Sequence, residues 1–262
     1  MHVAAEGAAR RVRPTLGLVT IGQAPRADLI PDVEAALSGV DWVEHGALDL
    51  LDAEGIARLE PRGGERTLVS RLRDGSRVRL GATSIAPALD DALRRCVADN
   101  CGAVLVLCTG RVEHCPASVP VFHAEDLAHD VMVRLVGEGR LGVLCPVPEQ
   151  LTDIRERWEG RLGRSVIAAA VDPYTAGLDE VAAAGRRVTT GGADLVFLDC
   201  IGYTREQREV LAAEGIRAET ARHLAVTGAV RLLSLPRYLL DRPQPGTLGR
   251  PARYDFLPLS FG

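Results

Sequence analysis

The chain has 262 residues, of which 47% are apolar and 25% are charged, and its formal net charge is −4. These values predict a globular protein with room for one large domain or two ordinary ones, and they disfavour nucleic acid as a partner because nucleic-acid sites carry a basic excess. No apolar run approaches the roughly 20 residues of a membrane-spanning helix, and residues 1–14 lack the apolar core of a secretion signal. We therefore expect a cytoplasmic protein without a membrane partner.

All 31 basic residues are arginine. The lack of lysine excludes an internal Schiff base, with pyridoxal phosphate or with substrate, and it excludes a P-loop. The six cysteines contain no C-x-x-C pair, which predicts reduced thiols. A zinc site at Cys108, His114 and Cys115 lacks a recognised ligand pattern, so we expect neither metal nor cofactor.

The first half of the chain, residues 14–137, alternates strand-like and helix-like runs. Its predicted elements are, in chain order, a flexible leader at 1–13, a strand at 15–21, a helix with Pro25 in its first turn, a β-hairpin at about 60–82, a helix from Leu89 that carries Cys96 and Cys101 as core thiols, a strand at 103–107, a strand at 119–122 and a helix at 124–136. The hairpin is predicted because Asp74-Gly75 lies between two β-like runs. We expect it to cover a cleft or to pair with another subunit, and a homo-oligomer is left open.

The second half, residues 138–218, repeats this alternation. Its predicted elements are a strand at 141–145, helices at 149–161 and 175–190, strands at 165–171 and 195–198, a helix at 205–214 capped by Thr204 and Gln207, a last helix at about 219–235 within a segment (219–240) that returns to the first half, and an extended tail at 241–262. Leu16-Gly17 matches Leu141-Gly142, and both halves end in an apolar run followed by Cys-x-Gly. This correspondence predicts a tandem duplication.

The two Cys-x-Gly segments contain Cys108 with Gly110, and Cys200 with Gly202. A thiol at the carboxyl end of a buried parallel strand lies at the edge where open α/β sheets bind ligands. Two thiols facing one carbon can remove a proton from one face and return one to the other, which inverts the centre without a cofactor. The alternative is that both cysteines are small core side chains.

Neighbouring residues supply further candidates for the site. The helix capped by Thr204 places its N-terminus behind Cys200, where it is expected to lower the thiol pKa and to bind a substrate carboxylate, while a buried Asp199 would raise that pKa. Other candidates for substrate contact are Gln23, Arg26, Thr109 and Tyr203, whereas Cys145 and His123 are weaker candidates.

Four segments together resemble the AroM family, a branch of the aspartate/glutamate/hydantoin racemase superfamily. They are residues 20–26, 71–75, 107–110 and 198–203, in this order. The resemblance implies an α/β fold of two pseudo-symmetric flavodoxin-like halves with parallel sheets, an active site in the cleft between them, and Cys108 and Cys200 as its two cysteines. Thr109-Gly110 and Ile201-Gly202, which we expect to contact the substrate, depart from the Asn-Thr and the Thr-His or Thr-Glu that commonly follow the two cysteines of racemases. Ile201-Gly202 is nearer to the Ala-Gly of hydantoin racemases.

Together these observations predict a cofactor-independent racemase or epimerase of a small carboxylate-containing carbon acid. Two alternatives remain open. The first is a single-cysteine decarboxylase or cis–trans isomerase of a dicarboxylate, and the second is a binding protein without catalysis.

Overall fold

A computed structural model describes residues 14–114 and 117–234. The elements of the first half are β1 (Leu16–Thr20), α1 (Ile30–Leu37), β2 (Trp42–Gly46), α2 (Ala53–Ala57), β3 (Thr67–Arg71), β4 (Arg77–Gly81), α3 (Ala86–Ala98), β5 (Ala103–Leu107), β6 (Val121–His123) and α4 (Ala124–Val136). Those of the second half are β7 (Leu141–Cys145), α5 (Leu151–Leu162), β8 (Ile167–Ala170), α6 (Leu178–Thr190), β9 (Leu195–Leu198), α7 (Arg205–Ala213), β10 (Ala218–Thr220) and α8 (Ala221–Leu233). The predicted leader, the tail and Cys115 lie outside the described residues.

Each half is built on one parallel four-stranded sheet, and the two sheets have the same strand order. The orders are β2-β1-β5-β6 and β8-β7-β9-β10. Among the four strands of each sheet, the second in chain order therefore lies at one edge and the first and third lie in the centre. The central strands β1, β5, β7 and β9 are buried along their whole length, as expected of parallel sheets covered on both faces. The predicted α/β fold of two pseudo-symmetric halves is confirmed.

The matching glycines of the opening strands show why the halves share this packing. A Cβ on Gly17 would lie 2.7 Å from the sulfur of Cys96 in α3, and a Cβ on Gly142 would lie 2.9 Å from Val188 in α6. In both halves glycine therefore allows one helix to lie directly against the sheet.

The β3–β4 hairpin is present in the first half alone. Its turn is Asp74-Gly75, where Gly75 adopts a φ of +90° and the Asp74 carboxylate accepts a hydrogen bond from the Ser76 amide. The strands pair antiparallel from Thr67–Gly81 to Arg71–Arg77. The hairpin bridges both halves, because the Gln23 amide donates to the Arg71 carbonyl and Gln150 Nε2 donates to the Thr67 carbonyl.

The largest hydrophobic cluster contains residues of both halves, including Leu18, Leu105, Val143 and Phe197. Helix α8 returns to the first half, where it packs on α1, α4 and β5. There the buried Arg222 pairs with Asp32 of α1 at 2.7 Å. Helix α4 of the first half in turn contacts the second half, where its Asp130 pairs with Arg161 of α5.

Several predicted boundaries are wrong. Cys101 follows α3 instead of lying on it, because the helix ends at Ala98 and Asn100 turns the chain with a φ of 58°. Pro25 lies in the loop before α1, and the proline in the first turn of that helix is Pro31. The last helix begins at Ala221 because the preceding residues pair with β9 as strand β10. Among the described helices, none combines the length and apolar character needed to cross a membrane.

Candidate active site

Cys108 and Cys200 line the same small cavity between the two halves. Cys108 directly follows β5, and Cys200 follows β9 after Asp199, so both thiols lie at carboxyl ends of central strands. The cavity has a volume of about 30 Å³, enough for one or two water molecules. Its walls also include the inner strand of the hairpin, from Thr67 to Ser70.

The two thiols occupy equivalent turns. The Gly110 amide donates to the sulfur of Cys108 at 3.3 Å, and the Gly202 amide donates to the sulfur of Cys200 at the same distance. A Cβ on Gly110 would lie 2.3 Å from Leu68, and one on Gly202 would lie 2.6 Å from the Tyr174 ring. Glycine at both positions therefore lets the turn close against the cavity wall.

Both thiols are held in the protonated form at neutral pH. Burial raises the pKa of Cys108 to about 11, although the Gly110 amide and the nearby Arg66 and Arg157 oppose that rise. Burial likewise raises the pKa of Cys200 to about 12, with a further contribution from Cys108 and a smaller one from Asp199. The predicted lowering of the Cys200 pKa is therefore wrong.

The sequence predicts a carboxylate site at the N-terminus of α7, where three amides already have partners. The amides of Thr204 and Gln207 take part in reciprocal capping, and the Arg205 amide donates to Asp32 at 2.7 Å.

Asp199 is fully buried beside Cys200. Its carboxylate contacts His129 Nε2 of α4 and accepts a hydrogen bond from Trp158 Nε1 of α5, each at 3.0 Å. Burial alone would raise the pKa of Asp199, but His129, Arg157 and Trp158 hold it below the ordinary value. Neither His129 nor Trp158 has a sequence signal, since both lie on helices far from the cysteines in the chain.

Arg26 lines the cavity with its guanidinium buried. It forms a two-point contact with Asp28, with both distances 2.8 Å, and donates to Thr20 Oγ1 at 3.0 Å. Tyr174 lines the cavity beside it, 3.5 Å from Arg26 Nη2. The charge of Arg26 is thus already compensated within the protein.

The other predicted contact residues divide into two groups. Thr109, Gly110 and Ile201 line the cavity, and Thr109 Oγ1 joins the halves by donating to the Asp199 carbonyl at 3.0 Å. The structure places the remaining three, Gln23, Gly202 and Tyr203, outside the lining.

Each of these three residues has another role. The Gln23 side chain accepts a hydrogen bond from the Arg73 amide at 2.9 Å, and Gly202 backs the Tyr174 ring. Tyr203 donates to the Val171 carbonyl at 2.5 Å within the core.

The cavity contains residues that sequence reasoning missed. They are Arg66 and residues 67–70 of β3, together with Gln150, Asp153, Ile154, Arg157 and Tyr174. Their presence depends on how the hairpin and the second half fold onto the cysteine loops. No local pattern predicts that arrangement.

Cys96, Cys101, Cys145 and His123 lie away from the cavity lining. Cys96 and Cys101 pack in the core of the first half, and the buried Cys145 donates to the Val147 carbonyl at 3.5 Å. His123 faces His114 at 3.0 Å, and burial lowers its pKa to about 3. Within residues 14–114 and 117–234 no group of three potential ligands could hold a metal ion.

Two four-stranded sheets of equal strand order, with one Cys-x-Gly turn from each half at a shared cavity, define the class as proteins with the racemase-like α/β fold. Within that class the chain belongs to the AroM family, since the sequence profile for AroM protein matches residues 16–231. The comparison with curated proteins gives no match.

Solved structures of the same fold include two racemases and a decarboxylase. A glutamate racemase from Bacillus anthracis is 12% identical, with a TM-score of 0.55 over 84% of this chain and 82% of that one. An allantoin racemase from Pseudomonas fluorescens is 15% identical, with a TM-score of 0.53 over 88% and 94% of the two chains. An unliganded arylmalonate decarboxylase is 16% identical, with a TM-score of 0.51 over 84% and 92%. At such identities the likeness concerns the fold.

Proposed function

We propose that this protein is a cofactor-independent racemase or epimerase of a small carboxylate-containing carbon acid, with Cys108 and Cys200 as its acid/base pair. The observation that carries the proposal is the pair of equivalent turns that brings one thiol from each half to a single cavity. Inversion of a carbon centre requires an acid and a base on opposite faces, and two pseudo-symmetric halves provide that arrangement.

In the forward direction Cys108 acts as the base. Its thiolate takes the proton from carbon, the electron pair stays on carbon beside the carboxylate, and the Cys200 thiol delivers its own proton to the opposite face. Cys108 is assigned this role because Arg66 and Arg157 both favour its thiolate. The reverse reaction exchanges the two roles.

The test is exchange of the carbon-bound proton in D₂O, followed by NMR with single enantiomers of 2-amino, 2-hydroxy and 2-aryl carboxylic acids. Wild type is expected to exchange the proton and to racemise one of these classes. Cys108→Ser and Cys200→Ser are each expected to lose roughly a hundredfold or more of that rate, the usual scale of a lost general acid or base. The control Cys101→Ser removes a buried thiol outside the cavity and should leave the rate unchanged. Full activity in both cavity variants would reject the mechanism.

A second candidate is decarboxylation of a malonate-type dicarboxylate with one thiol as proton donor. The raised pKa values favour it, because each thiol carries a proton at neutral pH and decarboxylation needs no thiolate base. Here the carbon–carboxylate bond breaks, carbon dioxide leaves with the electron pair remaining on carbon, and one thiol protonates that carbon. Carbon dioxide release that depends on one cysteine alone would favour this reaction. Binding without turnover would favour a non-catalytic role.

A further inference from the structure

The charged residues around the cavity differ in how well their charge is compensated. Arg26 is paired with Asp28, and Asp199 is held by His129 and Trp158. Arg157 lies 3.0 Å from Glu125 and 3.2 Å from Asp153. Each of these side chains therefore meets its opposite charge or its hydrogen-bond donors inside the protein.

Arg66 is the exception. Its guanidinium lines the cavity and donates through Nη2 to the Arg111 carbonyl, but no carboxylate of the described residues pairs with it. The adjacent Glu65 is directed elsewhere, since its carboxylate accepts hydrogen bonds from the Thr83 and Ser84 amides. A half-buried guanidinium without an anionic partner is the residue type that binds a carboxylate with two parallel hydrogen bonds.

We propose that Arg66 binds the carboxylate of the substrate and that the hairpin, whose first strand directly follows Arg66, opens to admit this anion and is then held over it by that contact. This inference rests on the proposed function for the identity of the reacting thiols, and it adds the residue that selects an anionic ligand. Arg66 lies at the Cys108 end of the cavity, where its charge acts on the thiol that the mechanism uses as base.

The hairpin limits the size of the cavity. A volume of about 30 Å³ holds one or two water molecules and no carbon acid, so the wall has to move to admit a ligand. Residues 67–70 form one wall and continue directly from Arg66. Polar contacts tie the hairpin to the second half: the exposed ion pair between Arg79 and Glu149 at 3.1 Å, the ion pair between Arg77 and Asp172, and a hydrogen bond from Gln150. Leu68 and Leu80 anchor the hairpin in the core of the first half. Ion pairs that are partly exposed contribute little to stability, so the contacts with the second half can open while this anchor holds, and an anion bound to Arg66 adds to them.

The experiment measures binding by titration calorimetry with malonate and with malonamide, which has nearly the same shape without charge. Wild type is expected to bind malonate at least tenfold more tightly than malonamide. Arg66→Gln is expected to weaken malonate binding by roughly tenfold to a hundredfold, the scale of a lost charge-assisted contact, and to leave malonamide unchanged. Arg66→Lys should retain part of the malonate affinity. The control Arg62→Gln removes an exposed guanidinium four residues away and should bind malonate like wild type.

Hydrogen exchange on the same proteins tests the closure. Malonate is expected to slow exchange of the β3–β4 amides in wild type and in Arg62→Gln, and not in Arg66→Gln. Equal affinity for malonate and malonamide, no binding of malonate, or wild-type affinity in Arg66→Gln would overturn the proposal. So would a parallel loss of malonamide binding, which would indicate a structural role for the contact with Arg111.

Binding and proton exchange are separate readouts. Should no carbon acid exchange its proton while malonate binding still depends on Arg66, the proposed function fails and the assignment of Arg66 stands. If wild type and Arg66→Gln exchange the carbon-bound proton at the same rate, the assignment of Arg66 fails and the proposed function stands.

Discussion

The two halves share a scaffold and differ in what surrounds their thiols. Strand order, the glycine of the opening strand and the Cys-x-Gly turn are common to both. The residue before each cysteine differs between the halves: the first half has the apolar Leu107, and the second has the buried carboxylate of Asp199. The hairpin and Arg66 belong to the first half alone. Symmetry thus explains how two thiols reach one cavity, and the asymmetric additions give the two sides different electrostatics.

The largest expected effect concerns the asymmetric carboxylate. Asp199→Asn should lower the free energy of unfolding by about 3 kcal/mol, because the amide cannot reproduce the charge-assisted contacts with both His129 and Trp158 in a fully buried site. Urea unfolding measures this change.

A matched variant separates the two contacts of Asp199. Trp158→Phe keeps an aromatic ring and removes only the N–H donor, so it should cost about 1–2 kcal/mol. If the free energy of unfolding of Asp199→Asn lies within about 1 kcal/mol of the wild-type value, these contacts of the carboxylate do not stabilise the second half.

The shared glycines give the next largest effect. Gly17→Ala and Gly142→Ala should each destabilise the protein by about 1–3 kcal/mol, because the added methyl group meets Cys96 in one half and Val188 in the other. Similar costs at the two positions would support equivalent packing, and urea midpoints measure both.

Gly160→Ala is the control for these glycine variants. Gly160 lies within α5, and nothing approaches the position of an added Cβ. This substitution should stabilise the helix by about 0.5–1 kcal/mol. A neutral result at Gly17 together with a large cost at Gly142 would break the equivalence.

The buried thiols predict a loss of stability in alkali. Burial, with a contribution from Asp199, raises the pKa of Cys145 to about 12, so above pH 9 the unfolded chain loses a proton that the folded chain retains. The stabilising contribution is complete below pH 9 and is lost as the pH rises toward 12. At pH 10 the loss amounts to about 1 kcal/mol for this thiol.

Cys145→Ala tests this assignment through a difference. The fall in unfolding free energy between pH 8 and pH 10 should be about 1 kcal/mol smaller in the variant than in wild type, whatever the cost of the substitution at pH 8. An identical fall in both proteins would mean that Cys145 ionises with the same pKa in the folded and unfolded chains.

The smallest effect concerns the hairpin. Arg79→Gln breaks the exposed pair with Glu149 and should cost less than about 1 kcal/mol, yet it should speed hydrogen exchange across β3 and β4. Arg94→Gln breaks a comparable exposed pair with Asp91 on α3 and should leave hairpin exchange unchanged. Equal exchange in all three proteins would remove Arg79 from the contacts that restrain the hairpin.

The parts of the fold that sequence predicts are those with a local cause. Apolar runs that end in Cys-x-Gly predict buried strands with thiols at their ends, and Asp74-Gly75 predicts the hairpin turn. Strand β10 is not predicted, because a strand of three residues directly before a helix is too short to show the alternation of apolar and polar residues that indicates a strand.

The site is predictable to a smaller extent. Thr109, Gly110 and Ile201 follow from their proximity in sequence to the cysteines. Arg66 and Tyr174 do not, because only the folded chain brings them to the cavity. Arg26 has a local sequence signal, but in the folded chain its guanidinium is paired with Asp28, which compensates the charge that would bind a substrate carboxylate.

The reciprocal placement of α4 and α8 limits how this molecule can move. Because α8 completes the packing of the first half and α4 contacts α5 of the second, a chain severed at Gly137 would yield fragments that each lack part of their covering layer. The halves are therefore interlocked, and hinge bending between them would break the central core. Under the role proposed for Arg66, ligand entry therefore depends on the hairpin wall of the cavity and not on hinge bending between the halves.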